Sequence, residues 1–386
     1  MNSRLKVALI FNFNPKWMGG IIYLINISRI LKFLPEEKKP ELLVFYPKHL
    51  QKFVDEIDYP YTQKIEWNFT PIHTTFLKSL IFRKNLFIDD ITKQYKLDVF
   101  FPLHNYPIKA KKFPSELCWY ADLQHKYYPA FFSRLKRAER NLRIKFILNN
   151  SKDIVVSSEA VKDDFYKFFK VPKHLKFHVY HFVSIIEGLP QIELGQLLDK
   201  YNLPEKYFII SNQFHKHKNH KVAFEAVAAL KNRGILVHLA ITGRFPSDKN
   251  SPYLSELNQI IAKNALQNQI HFLGLIPRED QLLLIKNAQA VIQPSLFEGW
   301  STVIEDARSL QVPVIAADLP VNIEQLQGKG HYFSAHDDQR LADILQAFPE
   351  RNLEELIYEP YEERMLSAAN ALLGIFENSI KAGYYS

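Results

Sequence analysis

The chain has 386 residues, 47% hydrophobic and 23% charged, which suits two folded domains and excludes a disordered or fibrous protein. Its single cysteine, Cys118, excludes an intrachain disulfide framework and points to a reducing compartment, and no run approaches the ~18 apolar residues of a membrane span. The net charge of +8 is uneven: residues 1–185 carry 31 Lys and Arg against 17 Asp and Glu, a net of +14, while residues 186–386 carry 18 against 24, a net of −6.

Arg4–Phe13 reads as a buried parallel strand rather than a secretory signal. The loop Asn14–Gly20 follows, then a helical pattern over Ile21–Leu34, so the chain opens as the βα unit of a doubly wound sheet. Gly19 and Gly20 would let the backbone approach a ligand closely, although G-x-G-x-x-G is absent. Glu41–Tyr46 and Asp98–Leu103 are predicted strands, and residues 47–95 are mixed, with helix-like stretches at Gln51–Ile57 and Lys84–Tyr95. The loop His104–Pro107 lies at the carboxyl edge of its strand, where open sheets bind ligands. Leu117–Ala121 is a further strand, leading to Asp122 and His125; a histidine there could donate a hydrogen bond to a ligand near neutral pH. Ser133–Phe146 places Leu135, Ala138, Leu142 and Phe146 on one helical face among basic residues, which suits either a packing helix or a membrane-surface helix. A strand Asp153–Val156, a helix Val161–Phe169 and a strand Phe177–Ile186 complete the first half. Glu187–Glu193 reads as the linker.

The second half opens with the buried strand Tyr207–Ser211. The loop Asn212–His220 carries His215, Lys216, His217 and Lys218 ahead of a helix at Lys221–Lys231, a basic loop suited to a diphosphate. Leu236–Thr242 is the next strand and ends at Gly243 and Arg244, the latter a candidate for the phosphate pocket. Ile270–Leu273 runs into Gly274-Leu275-Ile276-Pro277, followed by a helix over Glu279–Asn287. The apolar run Ala290–Ile292 stops at Pro294. After it, Glu298-Gly299-Trp300 leads to Ser301 and Thr302, candidate N-caps of a helix through Val303, Glu305 and Asp306. Amide groups at such a helix start form an anion site, and carboxylates flank it, as a ligand with both phosphate and hydroxyls requires. Val312–Ala316 is the last clear strand. Leu341–Phe348 and Glu362–Lys381 read as helices.

The stretch Glu298–Asp306, EGWSTVIED, resembles the E-x7-E region of the retaining glycosyltransferase family 4, which has the GT-B fold. Supporting it are Trp119-Tyr120-Ala121-Asp122-Leu123-Gln124-His125 with Pro129–Phe132, similar to a W-x-P-D-x-Q-H branch pattern, and the loop Asn212–His220. Ala121 stands in place of proline, Gln213 in place of the usual donor-phosphate arginine, and Asp306 in place of the second glutamate, with Glu305 one residue early.

The resemblance implies two doubly wound Rossmann-like domains with a cleft between them. Residues 1–186 would bind the acceptor, 187–365 the nucleotide sugar, and 366–386 would return to the first domain as a helix. It implies Lys218 on the donor phosphates, aided by Lys216 or a histidine. Glu298 would hold the sugar hydroxyls and Asp306 or Glu305 the ribose. Gly274 and its loop would meet the base, and Gly19-Gly20 would lie near donor phosphate and acceptor. Gln213, Asn219, Gly243, Arg244 and Gly299–Val303 complete the expected donor site, with Asp122 and His125 reaching in from the first domain. The expected activity is retaining transfer of a hexose from a UDP- or GDP-linked sugar to a glycan or lipid-linked acceptor in the cytoplasm. The charge asymmetry separately suggests that the basic first half meets something anionic, such as the inner face of a membrane, a lipid-phosphate acceptor or an acidic polymer. No nucleic acid is expected as a partner. No cofactor or metal is expected, because lysine and helix dipole can balance the diphosphate and Asp89-Asp90 falls in a predicted helix. A nucleotide-sugar epimerase and a non-catalytic binding or scaffold subunit are the alternatives; Gln213 favours the latter.

Overall fold

The computed structural model describes residues 4–15, 17–71, 75, 78–79, 81–82, 85–103, 115–246, 251–352 and 355–384, with side chains to 380. His104–Pro107 and Lys84 lie outside them. The chain forms two compact units, Met1–Ile185 with Tyr361–Ser386, and Ile186–Pro360.

The first unit is built on seven parallel strands in the order β3-β2-β1-β4-β5-β6-β7. They are β1 Lys6–Ile10, β2 Glu41–Tyr46, β3 Thr62–Glu66, β4 Val99–Phe101, β5 Ser115–Tyr120, β6 Asp153–Val156 and β7 Lys176–Val179. The central strands are continuous apolar runs because helices cover both faces, as parallel sheets demand. The helix Met18–Ile30 begins three residues earlier than expected, so Gly19 and Gly20 lie in its first turn rather than in a loop. The reason is Trp17: its indole packs over the helix start, and a Cβ on Gly20 would meet that ring at 2.6 Å. The long helix Tyr361–Tyr384 belongs to this unit. Met365, Ala369, Leu372 and Phe376 face inward, and the Phe376 ring lies 5.8 Å from Phe101.

The second unit has six parallel strands in the order β10-β9-β8-β11-β12-β13. They are β8 Phe208–Ser211, β9 Leu239–Thr242, β10 Ile270–Gly274, β11 Val291–Gln293, β12 Val314–Ala317 and β13 His331–Phe333. One face of the sheet buries Phe224, Leu257 and Ile292, the other Tyr207, Leu284 and Ile304. The order reverses between β8 and β11, the position at which open α/β sheets have a ligand crevice at the carboxyl ends of their strands.

Candidate functional site

Two loops meet at that crevice. Residues 212–219 leave β8 and residues 294–301 leave β11. The Lys218 ammonium donates to Glu298 Oε1 at 2.6 Å, with both side chains mostly buried. Gln293, fully buried at the end of β11, donates from Nε2 to the same Oε1 at 2.7 Å, and Asn212 at the end of β8 donates to Gln293 Oε1 at 2.8 Å. A polar relay thus runs across the strand ends and holds the glutamate in place. Both donors converge on Oε1; among the described residues Oε2 accepts from none.

The loop after β8 is locked from below. Asn219 adopts a left-handed conformation, which asparagine tolerates better than most residues, and its amide donates to the Pro294 and Ala335 carbonyls at 3.0 and 2.7 Å. Leu296 N–H donates to the His217 carbonyl at 2.7 Å. Phe214 stacks on both His220 and Phe245, with ring centroids 4.6 and 4.5 Å away and nearly parallel ring planes. Gly243 passes under this loop, and a Cβ there would stand 2.1 Å from the Asn212 carbonyl oxygen. Gly243 N–H donates to the Gly274 carbonyl at 2.8 Å, tying in the loop after β10, where Gly274 is left-handed.

Burial keeps the loop's histidines neutral. His217 is pushed down to about 4 by desolvation and then by the neighbouring Lys218 charge. His220 is pushed down to about 3 by desolvation, which outweighs a backbone hydrogen bond with Asn212 that raises it, with the Lys218 charge adding to the lowering. His215 is lowered for the same two reasons. The lasting positive charge of the loop therefore resides on Lys216, which is exposed, and on Lys218. Gln213 is exposed and its Oε1 meets His215 Nε2 at 3.0 Å. Arg244 is exposed on the loop after β9, and its carbonyl accepts from Phe214 N–H.

Ser301 is the N-cap of the helix Thr302–Ser309, its hydroxyl accepting from Ile304 N–H. Its own amide is committed to Gln325 Oε1 at 3.1 Å, while Gln325 Nε2 donates back to the Ser301 carbonyl. Thr302 and Val303 keep the open first-turn amides; Ser301 does not. Gly299 and Trp300, half-buried, form the approach to this turn.

The two acids of this helix separate by environment. Glu305 is fully buried, and its Oε1 accepts from Arg308 at 3.0 Å and Gln325 at 2.8 Å, an interior cluster. Asp306 is gripped through both oxygens by Arg278, whose guanidinium is half exposed. Arg278, Gln293 and Gln325 were missed by sequence reasoning. Arg278 alone had a signal: a cation directly after Pro277, at a helix start where the dipole disfavours cations.

In the first unit, Asp122 Oδ1 accepts from Gln124 N–H at 2.9 Å and so turns the chain into the helix Gln124–Tyr127. His125 is 2% exposed, with Nε2 3.1 Å from Asn141 Oδ1 and its pKa lowered, chiefly by burial. Gly19 and Gly20 lie beside a stack in which Trp17, Trp119 and Tyr23 succeed one another at 5.6 and 3.9 Å.

Residues 199–361, nearly the whole of the second unit, match the family model described as glycosyl transferases group 1. The chain is 22% identical to the O-antigen chain mannosyltransferase RfbU of Salmonella typhimurium over 61% of its length and 60% of the relative's. It is 23% identical to the human alpha-1,3/1,6-mannosyltransferase ALG2 over 52% and 50%. The matches thus span at most about three fifths of these relatives. A glycosyltransferase from Rickettsia africae ESF-5 superposes with a TM-score of 0.65 at 14% identity, each chain fully covered. Anabaena Alr3699/HepE in complex with UDP-glucose superposes with a TM-score of 0.64 at 15% identity, covering 99% and 100%. The fold class is GT-B, with two Rossmann-like units.

Proposed function

We propose that this chain is a retaining hexosyltransferase that moves a sugar from a nucleoside diphosphate to a glycan or lipid-linked acceptor in surface-polysaccharide or glycoconjugate synthesis. The observation that carries it is the Lys218–Glu298 pair across the strand-order reversal, beside the open amides of Thr302 and Val303. Likeness to group 1 glycosyltransferases over residues 199–361 supports it. A pocket that keeps a lysine, first-turn amides and a carboxylate within one loop pair suits a ligand whose diphosphate and hydroxyls lie close together.

As the bond from the anomeric carbon to the diphosphate oxygen breaks, its electron pair goes to the leaving group. Lys218, Lys216 and the Thr302 and Val303 amides neutralise that charge where it grows. The acceptor oxygen bonds to the anomeric carbon on the same face, and its proton passes to the departing phosphate. Glu298 orients the sugar hydroxyls through Oε2; no carboxylate nucleophile is assigned. The Asp306–Arg278 pair forms the ribose site, its Arg278 guanidinium half exposed, while Glu305 is paired in the interior with Arg308 and Gln325. The backbone around Gly274 receives the base. The two lysines and the helix start supply the charge balance without calling on a metal.

The test is a thermal-shift panel of UDP-, GDP- and ADP-sugars, followed by release of free nucleoside diphosphate with and without acceptor. One nucleotide family should raise the midpoint, and Lys218→Ala and Asp306→Ala should each remove most of that shift. Full responses from both variants would overturn the site; turnover of the sugar nucleotide without acceptor would favour epimerase or hydrolase chemistry instead.

A further inference from the structure

The helix Arg134–Asn150 in the first unit has two apolar sides where a packing helix needs one. Ile144, Ile147 and Leu148 are buried against the unit's core. On the opposite meridian Leu135 is 82% and Leu142 71% exposed, with exposed Ala138 between them, at the spacing of one helical ridge. A lone exposed leucine is ordinary; a ridge at the point of the helix farthest from the core is not. Phe131, 43% exposed, stands just ahead of the same helix in the chain.

The ridge is flanked by cations. Arg134 and Lys145 are exposed on one side and Lys136 and Arg143 lie on the other, with Arg137 and Arg140 below them. The helix's only acid, Glu139, is paired with Lys136 at 2.9 Å and Arg143 at 3.0 Å. Six cations against one acid on a single helix continue the positive excess of residues 1–185.

We infer that this helix docks the first unit onto an anionic lipid bilayer, with Leu135 and Leu142 in the acyl boundary and Arg134, Lys145, Lys136 and Arg143 among the headgroups. Charge complementarity decides the occupant. Two leucines and an alanine are too small a core for a stable protein interface of about 800 Å² per partner, and interface cores are depleted of charge. A bilayer surface needs only shallow apolar insertion combined with attraction to anionic headgroups. Among the described residues no helix is long and apolar enough to cross a membrane, so the contact is peripheral. This inference is independent of the transferase reading.

Co-sedimentation of the full chain tests it, with vesicles of phosphatidylcholine alone and of phosphatidylcholine mixed with phosphatidylglycerol. Binding should occur with the anionic vesicles, fall steeply with added salt and be weak on phosphatidylcholine alone. Leu135→Ser/Leu142→Ser and, separately, Arg134→Gln/Lys145→Gln should each weaken binding by about tenfold or more, with thermal midpoint and nucleotide response unchanged, since none of these side chains is buried. Failure of the intact chain to bind, or equal binding by both double variants, would overturn the inference. So would a dimer seen by light scattering that the leucine variant abolishes, which would assign the ridge to a second copy of the chain.

Discussion

The carboxyl ends of the two sheets are built from different materials. In the second unit the strand-order reversal carries charge: Lys218, Glu298, Gln293 and Asn212 form a buried relay that only a polar ligand could extend. In the first unit the same kind of edge carries rings, with Trp17, Trp119 and Tyr23 stacked beside Gly20, and His125 folded inward against Asn141. A buried ion pair is weak evidence for stability, since desolvation offsets its attraction. An aromatic stack serves stability directly. The comparison therefore sets a charged edge, whose polar groups stability does not call for, against an aromatic edge that serves packing.

The sharpest way to break that comparison is Lys218→Ala. It removes the buried cation and leaves Glu298 with only the neutral Gln293 amide as its donor, so we expect transfer to fall about 10²–10³-fold in kcat/KM, as for loss of a preorganised oxyanion donor. A fold intact by circular dichroism would assign the loss to the site. Activity within tenfold of the intact chain would mean that this edge is structural too.

Next comes Gly243→Ala, which tests how rigidly the donor loop is held. Its Cβ would lie 2.1 Å from the Asn212 carbonyl oxygen, so backbone must move. We expect a loss of about 2–4 kcal/mol in urea unfolding, in the range of strained backbone positions, together with weaker nucleotide binding. Retained stability would show that the loop yields.

Acid should weaken the second unit. His217 and His220 are neutral in the folded protein down to about pH 4 and 3, while the unfolded chain binds protons there below the ordinary histidine value of about 6.5. Unfolding therefore takes up protons between those limits, and stability falls as pH drops through that window. Near pH 5 the two groups together contribute about two protons, or roughly 2–3 kcal/mol per pH unit. His220→Phe should preserve the stack on Phe214 and remove about half of that slope; an unchanged slope would refute the assignment.

How much of this was legible in the sequence follows from what the signals depend on. The buried strands β8, β11 and β12 are continuous apolar runs and could be read directly. Ser301 was legible as a cap because capping is local chemistry. Strand β3, TQKIE, is a half-exposed edge strand of mostly polar residues, and β13, HYF, has three residues; neither holds enough periodicity to stand out. Within the site, Lys218 and Glu298 were legible because they sit in loops at strand ends. Gln293, Gln325 and Arg278 act through partners up to 81 residues away, which spacing does not encode. The choice between Glu305 and Asp306 was open for the same reason. Their environments differ only through Arg308, Gln325 and Arg278.

His125→Phe sharpens the other half of the comparison. The imidazole is buried and bonded to Asn141, so its loss should cost about 1–2 kcal/mol of stability, the usual cost of leaving one buried polar partner unsatisfied. Nucleotide binding to the second unit should not change. A normal thermal midpoint with transfer lost would place His125 in the chemistry after all.

The smallest effect is expected at Gln213, where the comparison turns on charge alone. Gln213 is exposed and contacts His215, whose pKa is lowered by desolvation and the Lys218 charge, so Gln213 offers a diphosphate hydrogen bonds but no charge at this position. Gln213→Arg adds a cation near Lys216 and Lys218. Solvent screens it and the lysines repel it, so the gain for nucleoside diphosphate should be no more than about fivefold, matching the ~1 kcal/mol ceiling of exposed ion pairs. The gain should vanish in high salt if it is electrostatic. A much larger gain, or one that salt leaves intact, would mean that the arginine reaches a desolvated phosphate site. The crevice would then be incomplete in this chain, and the non-catalytic reading would rise over the transferase.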